Sequence, residues 1–277
     1  MLEINVVEDP DEIRLGVEVI KKAWGAVDLA TLMKDLITAI ESNGGLVLLA
    51  KDDDKAVGIS FALMGYKNSK LYLYSHMTGV IPAYRKENLG FELKLKQRQW
   101  AKEQNFDLIS WTFDPLQGLN SNFNLRKLGA IARVYLENHY GTMTDSLNKG
   151  LRSDRLVAEW FINSEYVTEK LKGVKKNYDK LRNAIISKEK ENLRIIDNID
   201  LSLEDETVLI EIPKDIGQLK KASLKEAIRW RDLTAMVYEH YFSKGYALVD
   251  FFIKDDINFQ IATKALPASI EKHSIFL

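Results

Sequence analysis

Val80-Ile-Pro-Ala-Tyr-Arg85-Lys-Glu-Asn-Leu-Gly90 is the stretch on which the reading of this chain turns. An apolar run, Leu71–Val80, leads into it, and Leu89, Leu93, Lys96 and Trp100 leave it on helical spacing. Pro82 ends regular strand pairing. Asn88 tolerates a positive φ better than most residues, and Gly90 lets a backbone approach a ligand closely. A strand, a loop and a helix start in this order suit a phosphate, because backbone N–H groups converge there and the helix dipole favours negative charge. Arg85, Lys86, Glu87, Asn88, Leu89 and Gly90 are therefore candidate phosphate-binding residues. A merely polar helix start is the competing reading of Arg85–Asn88.

Outward from the loop the chain alternates strands and helices. Leu71–Val80 is apolar on both alternating faces, which predicts a central strand covered on both sides. Before it, Leu46–Ala50 and Ala56–Met64 form a hairpin around Asp52-Asp53-Asp54-Lys55. A helix from Leu29 to Glu41, with Leu29, Leu32, Met33, Leu36 and Ile40 inward, stops at Asn43-Gly44-Gly45. Residues 3–7 predict a first strand, and Ile13, Val17, Ile20 and Trp24 a first helix. After the loop helix come a buried strand (Asp107–Phe113), a short helix (Ser121–Lys127) ended by Gly129, and a strand (Ala130–Leu136). The order β-α-α-β-β-β-α-β-α-β gives a mixed α/β sheet flanked by helices.

Ser164–Arg194 is rich in charge, with Lys170, Lys172, Lys175, Lys176, Lys180 and Arg182. It predicts a charged helical connector over 166–200, a basic binding face being the alternative. The remainder reads as strand (Thr207–Ile212), helix (Ser223–Ser243), Gly245, strand (Tyr246–Ile253) and a further strand at Asn258–Thr263. This α/β extension, 201–277, repeats the rhythm of residues 107–136 and is either a degenerate second unit or an arm of the first sheet. The first 165 residues form the main domain.

Composition narrows the chemistry. The 277 residues include no cysteine, which rules out a disulfide scaffold, a cysteine nucleophile and a thiolate metal site. Four histidines, none close to another in sequence, argue against a catalytic metal. With 39 Lys+Arg against 40 Asp+Glu the net charge is −1, which lacks the footprint of a nucleic-acid binder. No stretch reaches the length of a membrane span, so a cytoplasmic protein is expected.

The order of elements resembles that of the GNAT family of acyl-CoA-dependent N-acyltransferases over roughly residues 1–165. That family's loop pattern falls here on Arg85, Asn88 and Gly90, with Asn88 in place of the first glycine. Further stretches resemble an uncharacterised, longer GNAT-like family of bacteria and archaea across nearly the whole chain. They are Ser75-His76-Met77-x-Gly79-Val80-x-Pro82, Trp111-Thr112-Phe113-Asp114-Pro115-Leu116 and Asn122-Phe123-Asn124-Leu125 before Leu128-Gly129-Ala130. Tyr140-Gly141 through Asp145, Leu147-Asn148, Gly150-Leu151, Asp154-Arg155, Glu159-Trp160, Ile212-Pro213, Trp230-Arg231 and Gly245-Tyr246 extend the likeness.

The resemblance implies acetyl-CoA or another acyl-CoA as cofactor and a small-molecule or peptide amine as acceptor. A homodimer stays open. Arg85–Gly90 would hold the pyrophosphate. Thr78, Gly79, Val80 and Ile81 would lie along the thioester and pantetheine, with a bulge at Gly79. Asn122 or Asn124 would bond the pantetheine amides, while Asn120 would cap the short helix. The family's usual acid, a tyrosine, is replaced by Leu125. Tyr135, Tyr140 or water would then protonate the thiolate, or the chain binds acyl-CoA without catalysis. His76 is either a core histidine or a general base. Asp114 either orients the amine at a strand end or shapes the turn before Pro115. Asp154 and Arg155 either close over the pocket or dock their own segment, and Trp230 reads as core.

Overall fold

The computed structural model describes residues 9, 29–141, 150–174, 178, 180–191, 193–270 and 274–277, the side chains of Leu29, Lys86 and Glu87 aside. The expected strand at residues 3–7 and the helix bearing Ile13, Val17, Ile20 and Trp24 lie outside them. So do Asp145, Leu147, Asn148, Lys175 and Lys176.

Helix α1 (Leu29–Ser42) leads to strands β1 (Leu46–Asp52), β2 (Lys55–Lys67) and β3 (Lys70–Val80). A 3-10 turn (Pro82–Glu87) follows, then α2 (Leu89–Glu103) and β4 (Leu108–Phe113). Helix α3 (Gly118–Ser121) continues as a π-helical turn, Asn122–Lys127, before β5 (Ile131–Leu136). Then come β6 (Arg155–Phe161), α4 (Glu165–Leu171), β7 (Ile185–Lys190), β8 (Leu193–Ile199) and β9 (Thr207–Ile212). The chain ends with α5 (Ile216–Ala222), α6 (Leu224–Ser243), β10 (Ala247–Lys254) and β11 (Ile257–Thr263).

Among the described residues nine strands make one mixed sheet, ordered β1-β2-β3-β4-β6-β5-β10-β11-β9. The C-terminal strands therefore extend the first sheet, joined where Leu248 of β10 pairs with Ala132 of β5. A single hydrophobic core runs through both parts, from Leu46 and Leu73 through Trp160 to Trp230, Tyr238 and Ile261. Trp230 is core, as its sequence context implies.

Four expectations change. Between Ser164 and Arg194 the chain forms the short helix α4 and then enters a hairpin, β7–β8, instead of a helical connector. Alternating charges such as Lys188-Glu189-Lys190 hide that hairpin, whose buried contacts come from Ile185 and Ile196. Strand β6, absent from the reading of the sequence, sits between β4 and β5 with all seven residues buried. Its buried Glu159 is matched by Arg133, which makes a two-pronged contact at 2.9 and 3.2 Å. Helix α1 turns Leu32 and Leu36 outward and leaves Met33, Ile37 and Ile40 half-buried. Finally, β3 is not covered on both sides, since residues 76–79 are exposed. Its neighbour β4 parts from it, and that separation makes the site.

Candidate functional site

Strands β3 and β4 run parallel but pair only at Leu73–Ile109 and Tyr74–Ser110. Beyond these residues they diverge toward their carboxyl ends, where open α/β sheets bind ligands. The resulting cleft has a volume of about 700 Å³. Ser75, His76 and Thr78 line one wall, Trp111 to Asp114 the other, and Lys94 of α2 joins them. Asn124 and Phe123 come from the π-helical turn, a distortion often found at functional sites. Arg155 of β6, Asp215, Ile216 and Arg231 complete the lining, so the C-terminal part supplies part of the wall.

The bulge that shapes β3 is at His76, not Gly79. Pairing with β2 passes from Met77 opposite Phe61 to Ser75 opposite Ala62 and skips His76. The extra residue turns the imidazole outward, so His76 is exposed at the cleft and not a core histidine. Its ring lies 5.5 Å from that of Phe61 and 6.1 Å from that of Tyr74.

The loop keeps the geometry that its residues predict. Asn88 adopts φ 60 and is the N-cap of α2, with no side-chain capping bond. The Tyr84 hydroxyl donates to Asp52, tying the 3-10 turn to the first hairpin. Arg85 donates from Nε to the Val80 carbonyl at 3.2 Å and is otherwise exposed. A Cβ built on Gly90 would meet only Val80 Cγ2, at 3.9 Å, so the fold itself does not require that glycine. The other expected cofactor residues divide among three hollows. Thr78, Arg85 and Asn124 line the cleft. Gly79, Val80, Ile81 and again Arg85 line a hollow of about 480 Å³ against β1 and β2. Asn88 and Asn122 line one of about 300 Å³ with Phe91, Arg126 and Lys127. Asn120 does not cap α3, because the helix begins earlier, at Gly118.

Lys94 is the site residue that sequence reasoning missed. The buried face of α2 carries Leu93, Lys94, Gln97 and Ala101, rotated from the expected stripe. The Lys94 ammonium donates to Ser75 Oγ at 2.7 Å and to Gln97 Oε1 at 3.1 Å. It sits 3.9 Å from the centre of the Trp111 ring. Burial without a counter-charge pushes its pKa down from 10.5 to about 7. The network continues from Gln97 Nε2 to Ser60 Oγ at 3.4 Å, and Ser60 shares a hydrogen bond with Thr78 at 2.8 Å. Trp111 Nε1 donates to Asn124 Oδ1 at 3.3 Å, so the cleft fixes Asn124 through the indole. Nothing local marks Lys94 in the sequence, because the groups that meet it come from β3 and β4 as well as from α2.

On the far wall Asp114 is already engaged. Arg231 of α6 donates to both of its oxygens, each at 2.8 Å. Asp114 also accepts from the Leu116 amide at 2.9 Å, which is the turn role before Pro115. Burial works against the Arg231 charge, but the hydrogen bonds and charge of Asp114 outweigh it and raise its pKa. Asp154 is buried and accepts from Arg152, the Tyr135 hydroxyl and the Asn138 amide, so it docks its own segment. Arg155 does face the cleft, 5.1 Å over the Tyr140 ring.

Leu125 is fully buried in the core. Burial and then Asp154 hold the Tyr135 hydroxyl well above its ordinary pKa, which leaves it a poor acid partner for a thiolate. Tyr140 is exposed, and its hydroxyl shares a 2.9 Å hydrogen bond with Thr112. Among the described residues no three His, Asp or Glu side chains gather closely enough to hold a metal ion. No helix among them is long and apolar enough to cross a membrane.

Parallel strands parting beside a strand-to-helix loop, within a mixed sheet flanked by helices, define an α/β fold with a cleft at the carboxyl ends of β3 and β4. No protein-family model and no curated protein matches the sequence. Among solved structures the chain is similar to a Desulfovibrio desulfuricans protein assigned to the GNAT acetyltransferases. The identity is 13%, over 48% of this chain and 77% of that one, with a TM-score of 0.38. It is also similar to Arabidopsis thaliana Naa50, solved with the bisubstrate analogue CoA-Ac-MVNAL (20% identity, 56% and 95% coverage, TM-score 0.38). A third is FeeM, an N-acyl amino acid synthase from uncultured soil microbes (14% identity, 59% and 90% coverage, TM-score 0.36).

Proposed function

We propose that this chain transfers an acyl group, acetyl in the simplest case, from acyl-CoA to a primary amine by direct attack in a ternary complex. The parting of β3 from β4 beside the uncapped start of α2 carries this reading. Arg85 and the first amides of α2 would hold the pyrophosphate, with Lys86, Glu87 and Leu89 supplying backbone. Thr78 to Ile81 would lie along the pantetheine and thioester, and Asn122 and Asn124 would bond its amides. His76, exposed at the bulge, would take a proton from the incoming ammonium. Asp114 would act through Arg231, fixing the wall against which the amine docks. A chain without cysteine has no thiol to carry the acyl group, which favours direct transfer. The C-terminal part is then an extension that completes the acceptor wall, since Asp215, Ile216 and Arg231 all reach the cleft.

The test of cofactor binding is calorimetry with CoA. Arg85→Ala should weaken binding by about 1–3 kcal/mol, the worth of charge-assisted contacts. Unchanged affinity removes the pyrophosphate assignment. The burial of Leu125 where the family's acid would stand favours a second reading, an acyl-CoA binder without catalysis. Thiol release from acetyl-CoA with a panel of amines separates the two.

A further inference from the structure

Lysine is seldom fully buried without a carboxylate, because desolvating an ammonium costs several kcal/mol. Lys94 is 4% exposed, and no carboxylate among the described residues lies within ion-pair distance of it. The groups touching its Nζ are neutral: Ser75 from β3, Gln97 from its own helix and the Trp111 ring from β4. The charged and titratable groups sharing the cleft are His76, Arg85, Asp114, Arg155, Asp215 and Arg231. Asp114 is spent on Arg231, and burial alone accounts for the lowered pKa of Lys94. Methionine would fill the same space but would leave Ser75 Oγ and Gln97 Oε1 without the bonds they accept from Nζ. The Lys94 amine is hydrogen-bonded to a hydroxyl that itself lines the cleft, which gives a two-group path from the amine to whatever the cleft holds.

We propose that Lys94, working through the Ser75 hydroxyl, is the proton carrier of acyl transfer in this cleft. The inference rests on the acyltransferase reading above. Nitrogen attack on the thioester carbonyl forms the C–N bond and leaves a surplus proton on that nitrogen. Ser75 Oγ accepts this proton while passing its own to the neutral Lys94 amine. The carbonyl then re-forms, the C–S bond breaks, and the electron pair departs with sulfur. The Lys94 ammonium returns a proton through Ser75 to the CoA thiolate and is neutral again. No acid from the Leu125 position is needed, and the same atom serves both half-steps.

Four measurements test this: CoA calorimetry, thiol release from acetyl-CoA, its pH profile, and NMR titration of isotope-labelled lysine. The chain has no cysteine, so every thiol detected comes from CoA. Lys94→Met and Lys94→Gln should bind CoA with wild-type affinity and release thiol about 100- to 10,000-fold more slowly. The wild-type rate should rise through pH about 7. That limb should vanish in Lys94→Met, in which His76 is intact. In the folded wild type the Lys94 signal, assigned by its loss in the variant, should titrate near 7. Three outcomes overturn the proposal: titration in the ordinary lysine range near ~10.4, a Lys94→Met enzyme with wild-type rate and pH profile, or a variant whose only defect is CoA affinity. A wild-type protein that binds no CoA refutes the acyltransferase reading instead, and that result is visible before any variant is made.

Discussion

Two of the buried cations that border the cleft, Arg231 and Lys94, are treated in opposite ways. On the wall formed with the C-terminal part, Arg231 is clamped by both oxygens of Asp114. On the floor, Lys94 meets only a hydroxyl, an amide and an indole face. A guanidinium cannot give up its proton in a protein, so it must be buried with its charge and needs an anion. An ammonium can shed its charge instead, and the surroundings of Lys94 favour that. The first arrangement holds two parts of the chain together. The second creates a group that exchanges a proton near neutrality.

Breaking the arginine side should have the larger effect on the fold. Arg231→Met leaves the Asp114 carboxylate, nearly buried, without its partner. Removing one member of a buried pair costs about 3–5 kcal/mol, which urea unfolding would read as a large fall in the midpoint. Changing both, Arg231→Met with Asp114→Leu, should recover most of the loss. If the single variant is as stable as wild type, the pair does not hold the C-terminal wall in place.

The lysine side should reveal itself through pH. The folded pKa of Lys94, about 7, lies below its unfolded value of 10.5, so between them the unfolded chain binds more protons. Stability therefore rises with pH across that interval, by up to ~1.4 kcal/mol per unit from this residue. Below pH 7 the full penalty of charging a buried amine applies. Lys94→Met should accordingly be more stable than wild type at neutral pH. Its advantage should shrink by about 2–3 kcal/mol between pH 7 and pH 9. A stability difference that does not change with pH would show that Lys94 keeps its proton through that window.

Much of this architecture is legible in local patterns, and the cleft chemistry is not. Asn43-Gly44-Gly45, Gly129 and Gly245 each stop a helix, and Gly44, Gly129 and Gly245 have positive φ. Asn88 does at the loop what its short amide side chain permits. These are residue-level constraints, so they can be read in one dimension. Strand β6 fails that test because its buried Glu159 is matched by Arg133, which lies on another strand and 26 residues away in sequence. The position of the bulge is set by pairing with β2, so Gly79 looked better suited than His76 until the register was known. Asp114 and Arg231 are 117 residues apart, and nothing local announces their meeting. Lys94 looks like any helix lysine until Ser75 and Trp111 are brought against it.

The smallest expected effect separates a residue kept for the fold from one kept for a ligand. Gly90 lies in the first turn of α2, without positive φ and with room for a Cβ. Helix propensity favours alanine over glycine by up to ~1 kcal/mol, and less near an end than in the interior. Gly90→Ala should thus raise stability by a few tenths of a kcal/mol, by the same reasoning. If the backbone here must come close to a pyrophosphate, the added methyl stands in the way, and CoA affinity should fall while the melting temperature does not. Calorimetry and thermal unfolding on one preparation decide the matter. Unaltered affinity in a slightly stabilised protein would mean that the ligand keeps its distance from Gly90, and the anchoring of the phosphate would then rest on Arg85 and the amide next to Asn88.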